Sequence, residues 1–254
     1  MMRVWNTVSE WQRRRASMGN ASVGVVPTMG ALHCGHAALV ERCRRENEIA
    51  MVTIFVNPTQ FNDPKDLDRY PQTYEQDLAM LRDLGVDDVL APTAQEMYPK
   101  GYRYRVEARD GERIMEAAYR PGFLEGVMTV VMKLLNLARA DRAYFGEKDF
   151  QQLRTVEEMV QEFFLTTEIV ACPTVRTASG LAESSRNRLL SAEGLEKAAD
   201  LYRVLIRSGS AAAARDWLED EGFRVDYVEE RWGRRFAAVY LEGVRLIDNV
   251  PLAN

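Results

Sequence analysis

Val23-Gly24-Val25-Val26-Pro27-Thr28-Met29-Gly30-Ala31-Leu32-His33-Cys34-Gly35-His36 decides the fold of this chain. It opens on a short apolar run that stops at Pro27. It then passes through a turn punctuated by Gly30 and Gly35, and feeds a helical pattern from about 36 to 46. The next segment, Ala50-Met51-Val52-Thr53-Ile54-Phe55-Val56, is apolar without alternation, as a strand buried on both faces must be. Strand, turn, helix and strand in that order predict a parallel sheet covered by helices.

The same alternation continues outward. Leu78, Leu81 and Leu84 fall at helical spacing within 73–84, and Gly85 follows as a stop. Strands are expected at 86–91, 143–145 and 168–172, and helices at 125–138 and 149–163, the former apolar nearly all round. The loops 27–36, 57–61 and 146–149 each follow a strand. In a doubly wound sheet they converge on one edge, where ligands bind. After Pro173 the pattern changes to two helices (191–207, 211–221) and then two β-rich runs (224–228, 236–241). The expected fold class is therefore α/β. A Rossmann-like parallel-sheet domain is expected over 1–174, with a smaller C-terminal α+β domain over 175–254.

Bulk properties narrow the function. The net charge of −5, with no long basic run, argues against a dedicated nucleic-acid binder. Three cysteines make no CxxC pair and no even framework, which reads as reduced thiols. No stretch is apolar enough for a membrane span or a signal peptide, so a cytoplasmic protein is expected.

Both histidines of the chain lie in the glycine-flanked turn. A strand-to-helix turn presents the first amide groups of the helix, and the helix dipole, to an anion. Two imidazoles there add hydrogen-bond donors for phosphate oxygens. His33 and His36 could instead be half of a zinc site, but no partner stands at ligand spacing and Gly35 disfavours a helical face. Either could also be a satisfied surface or core histidine.

The turn, followed by Phe55-Val56-Asn57-Pro58-Thr59-Gln60-Phe61, resembles the pantothenate synthetase (pantoate–β-alanine ligase) family of the nucleotidyltransferase superfamily. So do Tyr144-Phe145-Gly146-Glu147-Lys148-Asp149 with Gln151-Gln152, and Pro173-Thr174-Val175-Arg176 leading to Gly180-Leu181-Ala182-Glu183-Ser184-Ser185-Arg186-Asn187. Arg245-Leu246-Ile247-Asp248-Asn249 matches the family's closing pattern. The five motifs run in order from about Val23 to Asn249.

The resemblance implies a two-step reaction. ATP with Mg²⁺ converts pantoate to a pantoyl adenylate, releasing pyrophosphate, and β-alanine then displaces AMP to give pantothenate. It implies catalytic roles for His33, His36, Lys148, Ser184, Ser185 and Arg186 around the phosphates. Met29, Gly146, Asp149, Val175 and Glu183 are the implied nucleotide contacts, with Asp149 at the ribose. Pro27, Met29, Asn57, Gln60 and Gln152 are the implied acid contacts, and no protein metal ligand is assigned. Met29 and Phe61 would wall the gem-dimethyl group, and Tyr70 matches a further site position. The resemblance also implies a homodimer formed through the larger domain, with small molecules as the other partners. The chemistry fits these residue types: a carboxylate repels an amine until it becomes a mixed anhydride, and the departing pyrophosphate needs positioned cations and dipoles.

Three positions depart from the family pattern. In Arg120-Pro121-Gly122-Phe123-Leu124-Glu125-Gly126-Val127 the family usually has histidine at the position of Phe123, which removes a polar group beside the acid. Glu183 replaces an apolar residue before Ser184, and Leu189 stands where tyrosine is common. A diverged ligase for another acid or amine, and a nucleotide-binding homologue without turnover, are the alternative readings.

Overall fold

The computed structural model describes residues 1–62, 64–109 and 113–252. The chain divides into two compact units, one of Met1–Gly146 with Gln151–Cys172 and one of Glu147–Phe150 with Pro173–Asn254.

The first unit is an α/β layer structure. Its strands are β1 (Arg3–Trp5), β2 (Val23–Thr28), β3 (Ile49–Ile54), β4 (Asp88–Leu90), β5 (Arg142–Gly146) and β6 (Glu168–Cys172). They pair in parallel throughout, in the order β1-β4-β3-β2-β5-β6. The helices between them are α1 (Val8–Ala16), α2 (Cys34–Glu46), α3 (Pro64–Asp68), α4 (Tyr74–Asp83), α5 (Ala94–Met97), α6 (Met115–Tyr119), α7 (Phe123–Ala138) and α8 (Phe150–Glu162). β2 is central and almost wholly buried, which is why its sequence reads as a continuous apolar run. From β2 the chain winds outward through β3 to β4. It then crosses back to β5 and β6 on the other side. The order reverses between β2 and β5, so the carboxyl ends of these two strands form the switch point where such sheets hold ligands.

Several elements differ from the sequence expectation. α2 begins at Cys34 and includes Gly35, because His33 caps it. β3 stops at Ile54, where the chain turns into a 3₁₀ segment at Pro58–Gln60. β1 and α1 were not anticipated. They are held to the sheet by Asp88, which accepts from Trp5 Nε1 at 2.8 Å and from the Arg14 guanidinium at 2.9 Å.

The second unit packs α9 (Ala192–Arg207) and α10 (Ala211–Asp220) on an antiparallel sheet of β7 (Arg224–Arg231), β8 (Arg234–Leu241) and β9 (Val244–Pro251). Leu201, Leu205, Leu218, Val239 and Leu246 form its core. Both hairpins turn on two residues of positive φ, Trp232-Gly233 and Glu242-Gly243, as two-residue hairpins of this twist require. β9 is a third strand where the sequence suggested two.

Candidate active site

In the first unit the histidine turn leaves β2 and enters α2 at the switch point. Thr28 Oγ1 donates to the Thr53 carbonyl at 2.7 Å and accepts from the Gly30 N–H at 3.2 Å, so the turn is tied to β3 at its root. Asp77, on α4, accepts from the N–H groups of Ala31 at 2.9 Å and Leu32 at 2.8 Å, and from Thr73 Oγ1 at 3.0 Å. That carboxylate is buried, and two of these three hydrogen bonds hold the turn. It fixes Ala31, which has φ 51°.

His33 and His36 form a reciprocal cap. His33 Nδ1 accepts from the Gly35 N–H at 3.1 Å, and His36 Nδ1 accepts from the His33 N–H at 3.4 Å. A backbone N–H can only donate, so both Nδ1 atoms are acceptors and the proton of each neutral ring sits on Nε2. The rings lie 4.1 Å apart between centroids. The cap that shapes the helix start thus sets both rings with Nε2–H as the donor end. No acidic residue stands in the first turn of α2 to oppose an anion there.

The acid-side expectations fall at the end of β3. Asn57 caps the 3₁₀ turn and is 1% exposed; Gln60 is 8% exposed. Asn57 Nδ2 donates to Gln60 Oε1 at 2.9 Å and to the Gly126 carbonyl at 3.2 Å. α7 approaches this turn so closely that a Cβ on Gly126 would lie 2.4 Å from the Thr59 carbonyl oxygen. Phe61 meets Tyr70 edge to face at 5.7 Å. Phe123 lies under Arg120, whose guanidinium carbon is 3.7 Å from the ring centroid. Arg120 also donates to the Gln60 carbonyl and pairs with Glu116, each at 3.3 Å. The position that usually carries histidine in the family is here an apolar platform for an arginine. Of the two adjacent glutamines, Gln151 is structural: it accepts from the Glu116 N–H at 2.9 Å and donates to the Ile114 carbonyl at 3.1 Å. Gln152 is the half-buried neighbour. Pro27 pairs with Thr53 in β2, Met29 follows that strand and Gly146 ends β5, so all three occupy the same carboxyl edge.

The second unit gathers the remaining expected residues. Lys148 and Asp149 sit in a 3₁₀ turn, Glu147–Asp149. Asn249, on β9, donates to the carbonyls of Glu147 and Lys148, each at 2.9 Å, and accepts from Arg234 Nε at 2.6 Å. Next to it Asp248 takes a two-pronged pair from Arg176, at 2.6 and 2.9 Å. Val175 and Glu183 close a tight hairpin through the Glu183 N–H and the Val175 carbonyl at 2.9 Å. Ser184 Oγ then caps the 3₁₀ segment Ser185–Leu189 by accepting from the Arg186 N–H at 3.3 Å. This local cap orders the Ser-Ser-Arg segment.

A family model described as pantoate-beta-alanine ligase matches residues 2–251. The chain belongs to the pantoate–β-alanine ligase family.

Curated relatives of this ligase include the pantothenate synthetases of Bdellovibrio bacteriovorus and Coxiella burnetii. The first is 49% identical over 99% of this chain and all of the relative; the second is 46% identical over 100% and 98%. Among solved structures, a Francisella tularensis pantoate-beta-alanine ligase complexed with beta-gamma ATP and beta-alanine superposes with a TM-score of 0.95. It is 37% identical and covers 99% of this chain and 98% of its own. The Thermus thermophilus pantothenate synthetase superposes at 0.91 with 43% identity, over 98% and 99%. The chain is thus an enzyme of the ligase class, with the α/β architecture of these structures.

Three residues that organise this ligase's site were not singled out from sequence. Asp77 left a trace, since it precedes Leu81 by four residues and so lies on the apolar stripe of α4, where a carboxylate needs donors. Asn249 was recognised only as part of a motif. Tyr98, which donates to Asn57 Oδ1 at 2.7 Å, left no trace in the sequence pattern.

Proposed function

We propose that this enzyme joins pantoate to β-alanine at the expense of ATP, through a pantoyl adenylate, releasing pyrophosphate and AMP. The observation that carries this reading is the histidine turn at the switch point of the sheet, with both rings held as Nε2–H donors at a helix N-terminus. Such a turn binds phosphate without transferring protons, which is what in-line adenylation asks of it. His33 and His36 hold the nucleotide phosphates, and Met29 and Gly146 line the nucleotide. On the second unit, Lys148 supplies a point charge, and Ser184, Ser185 and Arg186 supply two hydroxyls and a forked cation for phosphate oxygens. Asp149, Val175 and Glu183 complete the nucleotide contacts. Pro27, Met29, Gln60 and Gln152 contact the acid, and Asn57 supports them.

Mg²⁺ is proposed as the partner of ATP. Among the described residues no group of three His, Cys, Asp or Glu stands together. A magnesium ion held mainly by triphosphate oxygens and water suits such a donor set. A homodimer is also proposed. Support comes from the exposed aromatics Tyr102, Tyr104 and Tyr119 on the first unit, of which Tyr104 is 87% exposed. Sedimentation should give twice the chain mass, and Tyr104→Asp should shift it toward one. No helix among the described residues is long and apolar enough to cross a membrane; a cytoplasmic location is proposed.

Pyrophosphate release tests the reaction, using ATP, Mg²⁺ and a panel of small acids, with and without β-alanine. Pantoate-dependent release with pantothenate as product is expected. Release only with another acid would replace the substrate assignment. No release with any acid would overturn the reading.

A further inference from the structure

We infer that Asn57 and Tyr98 are positioning residues that lock the Gln60 side chain with its amide nitrogen toward the acid, so that Gln60 meets the substrate only as a hydrogen-bond donor. This deepens the proposed ligase reading and rests on Gln60 being an acid contact.

Asn57 has two backbone neighbours of fixed polarity. The Thr59 N–H, which can only donate, lies 3.4 Å from Oδ1, and the Gly126 carbonyl, which can only accept, lies 3.2 Å from Nδ2. The amide of Asn57 therefore cannot exchange its ends. Thr59 Oγ1 and Tyr98 Oη add hydrogen bonds to the same Oδ1, at 3.0 and 2.7 Å. With Oδ1 so occupied, the second hydrogen of Nδ2 goes to Gln60 Oε1 at 2.9 Å. Turning the Gln60 amide over would set two NH₂ groups face to face in a buried site. Gln60 is thereby fixed by its neighbour, and no described residue accepts from its Nε2.

Tyr98 is braced for this task. Lys133 Nζ lies 4.1 Å from its ring centroid and donates to the Met97 carbonyl at 2.5 Å, and Tyr102 meets the ring edge to face at 5.0 Å. Burial pushes the Tyr98 phenol above its ordinary range, so it remains protonated, and a donor, through the neutral and mildly alkaline range. A donor-only amide suits a substrate that offers acceptor oxygens, carboxylate or hydroxyl, and it leaves the nucleophilic carboxylate charged. An acid analogue that presents an N–H donor at this point meets two donors and is rejected.

Tyr98→Phe keeps the ring and removes the hydroxyl. It is expected to raise the KM for pantoate about three- to tenfold, as loss of one hydrogen bond does. The KM for ATP and the melting temperature should stay near wild type, and the effect should be constant from pH 6 to 9. Asn57→Asp removes the donor to Gln60 and is expected to raise the pantoate KM further, about 10- to 100-fold, while Asn57→Ser, which retains a donor, should be intermediate. An unchanged pantoate KM in Tyr98→Phe, or equal rises for pantoate and ATP, overturns the positioning role. If the wild-type enzyme turns over no pantoate, the substrate assignment fails on its own account. The relay is then read from the Gln60 side-chain ¹⁵N–¹H signals, whose shift in Tyr98→Phe supports it and whose constancy overturns it.

Discussion

Asn249 holds the backbone of Lys148: its side-chain nitrogen donates to the Lys148 carbonyl at 2.9 Å and to the Glu147 carbonyl at the same distance. Arg234 in turn fixes the amide by donating to Oδ1. The backbone from which the lysine side chain extends is thus anchored from β9. Asn249→Ala is expected to slow single-turnover pyrophosphate release about tenfold or more, as loss of a positioned charge does. A double-mutant cycle with Lys148→Ala decides the cause. Strong non-additivity is expected if Asn249 acts through Lys148, whereas additive losses would sink the link.

Asp77 makes a parallel prediction for the histidine turn. Asp77→Asn puts an NH₂ group against one of two backbone donors. Hydrogen bonds to a charged acceptor contribute about 1.5–3 kcal/mol, so stability should fall by about that amount. Urea unfolding measures the loss, and ATP titration should show weaker binding in the same variant. Wild-type ATP affinity in Asp77→Asn would mean that the turn keeps its shape without the carboxylate.

Phe123 serves as a platform for Arg120, and a cation–π contact of this kind contributes about 0.5–2 kcal/mol. Phe123→Ala is therefore expected to raise the pantoate KM about 2- to 30-fold through a loosened Arg120. Phe123→His should behave nearly as wild type at pH 8, where a neutral imidazole still stacks. Below about pH 6 the imidazolium would face the guanidinium, and the pantoate KM should climb as pH falls. The wild-type enzyme lacks that titration, so its pantoate KM should not share the climb. A flat profile for Phe123→His would place the ring away from the acid.

The three thiols should differ sharply in reactivity. Cys34 is exposed at the first residue of α2, whereas Cys43 and Cys172 are buried. Burial pushes the Cys43 thiol up to about 12, so its thiolate is scarce at pH 8.5. Iodoacetamide at that pH should label Cys34 alone in the native protein, as peptide mapping would show. ATP should slow that labelling if its phosphates dock on the turn. An unchanged labelling rate at saturating ATP would remove the nucleotide from this helix end.

The sequence reading reached furthest where a local pattern suffices. The β2-turn-α2 unit was legible because β2 is buried on both faces and the turn carries its own glycines. β6 was placed at 168–172, its observed bounds. β1 was missed because Arg3–Trp5 has only three residues and no internal pattern; it is a strand only beside β4. β9 was read as a motif because Asp248 and Asn249 interrupt its apolar alternation, and both are buried against partners far away in sequence. Within the site, types of residue could be read but polarity could not. That Gln60 must offer its nitrogen follows from the Thr59 N–H and the Gly126 carbonyl, which the sequence separates by 67 residues (126 − 59).

The pairing of β1 with β4 also bears on how the chain is made. Arg3 is registered with Asp88, and the carboxylate that receives Trp5 and Arg14 belongs to that same late residue. During synthesis at about 5–20 residues per second, the first strand therefore waits on the order of ten seconds for its partner. Through that interval Trp11 has no Leu137 carbonyl to reach, since that residue emerges later still. β1 leaves the ribosome well before β4 and is among the last elements to find its place in the sheet, and the nascent chain carries it in the meantime as an unpaired, chaperone-accessible edge.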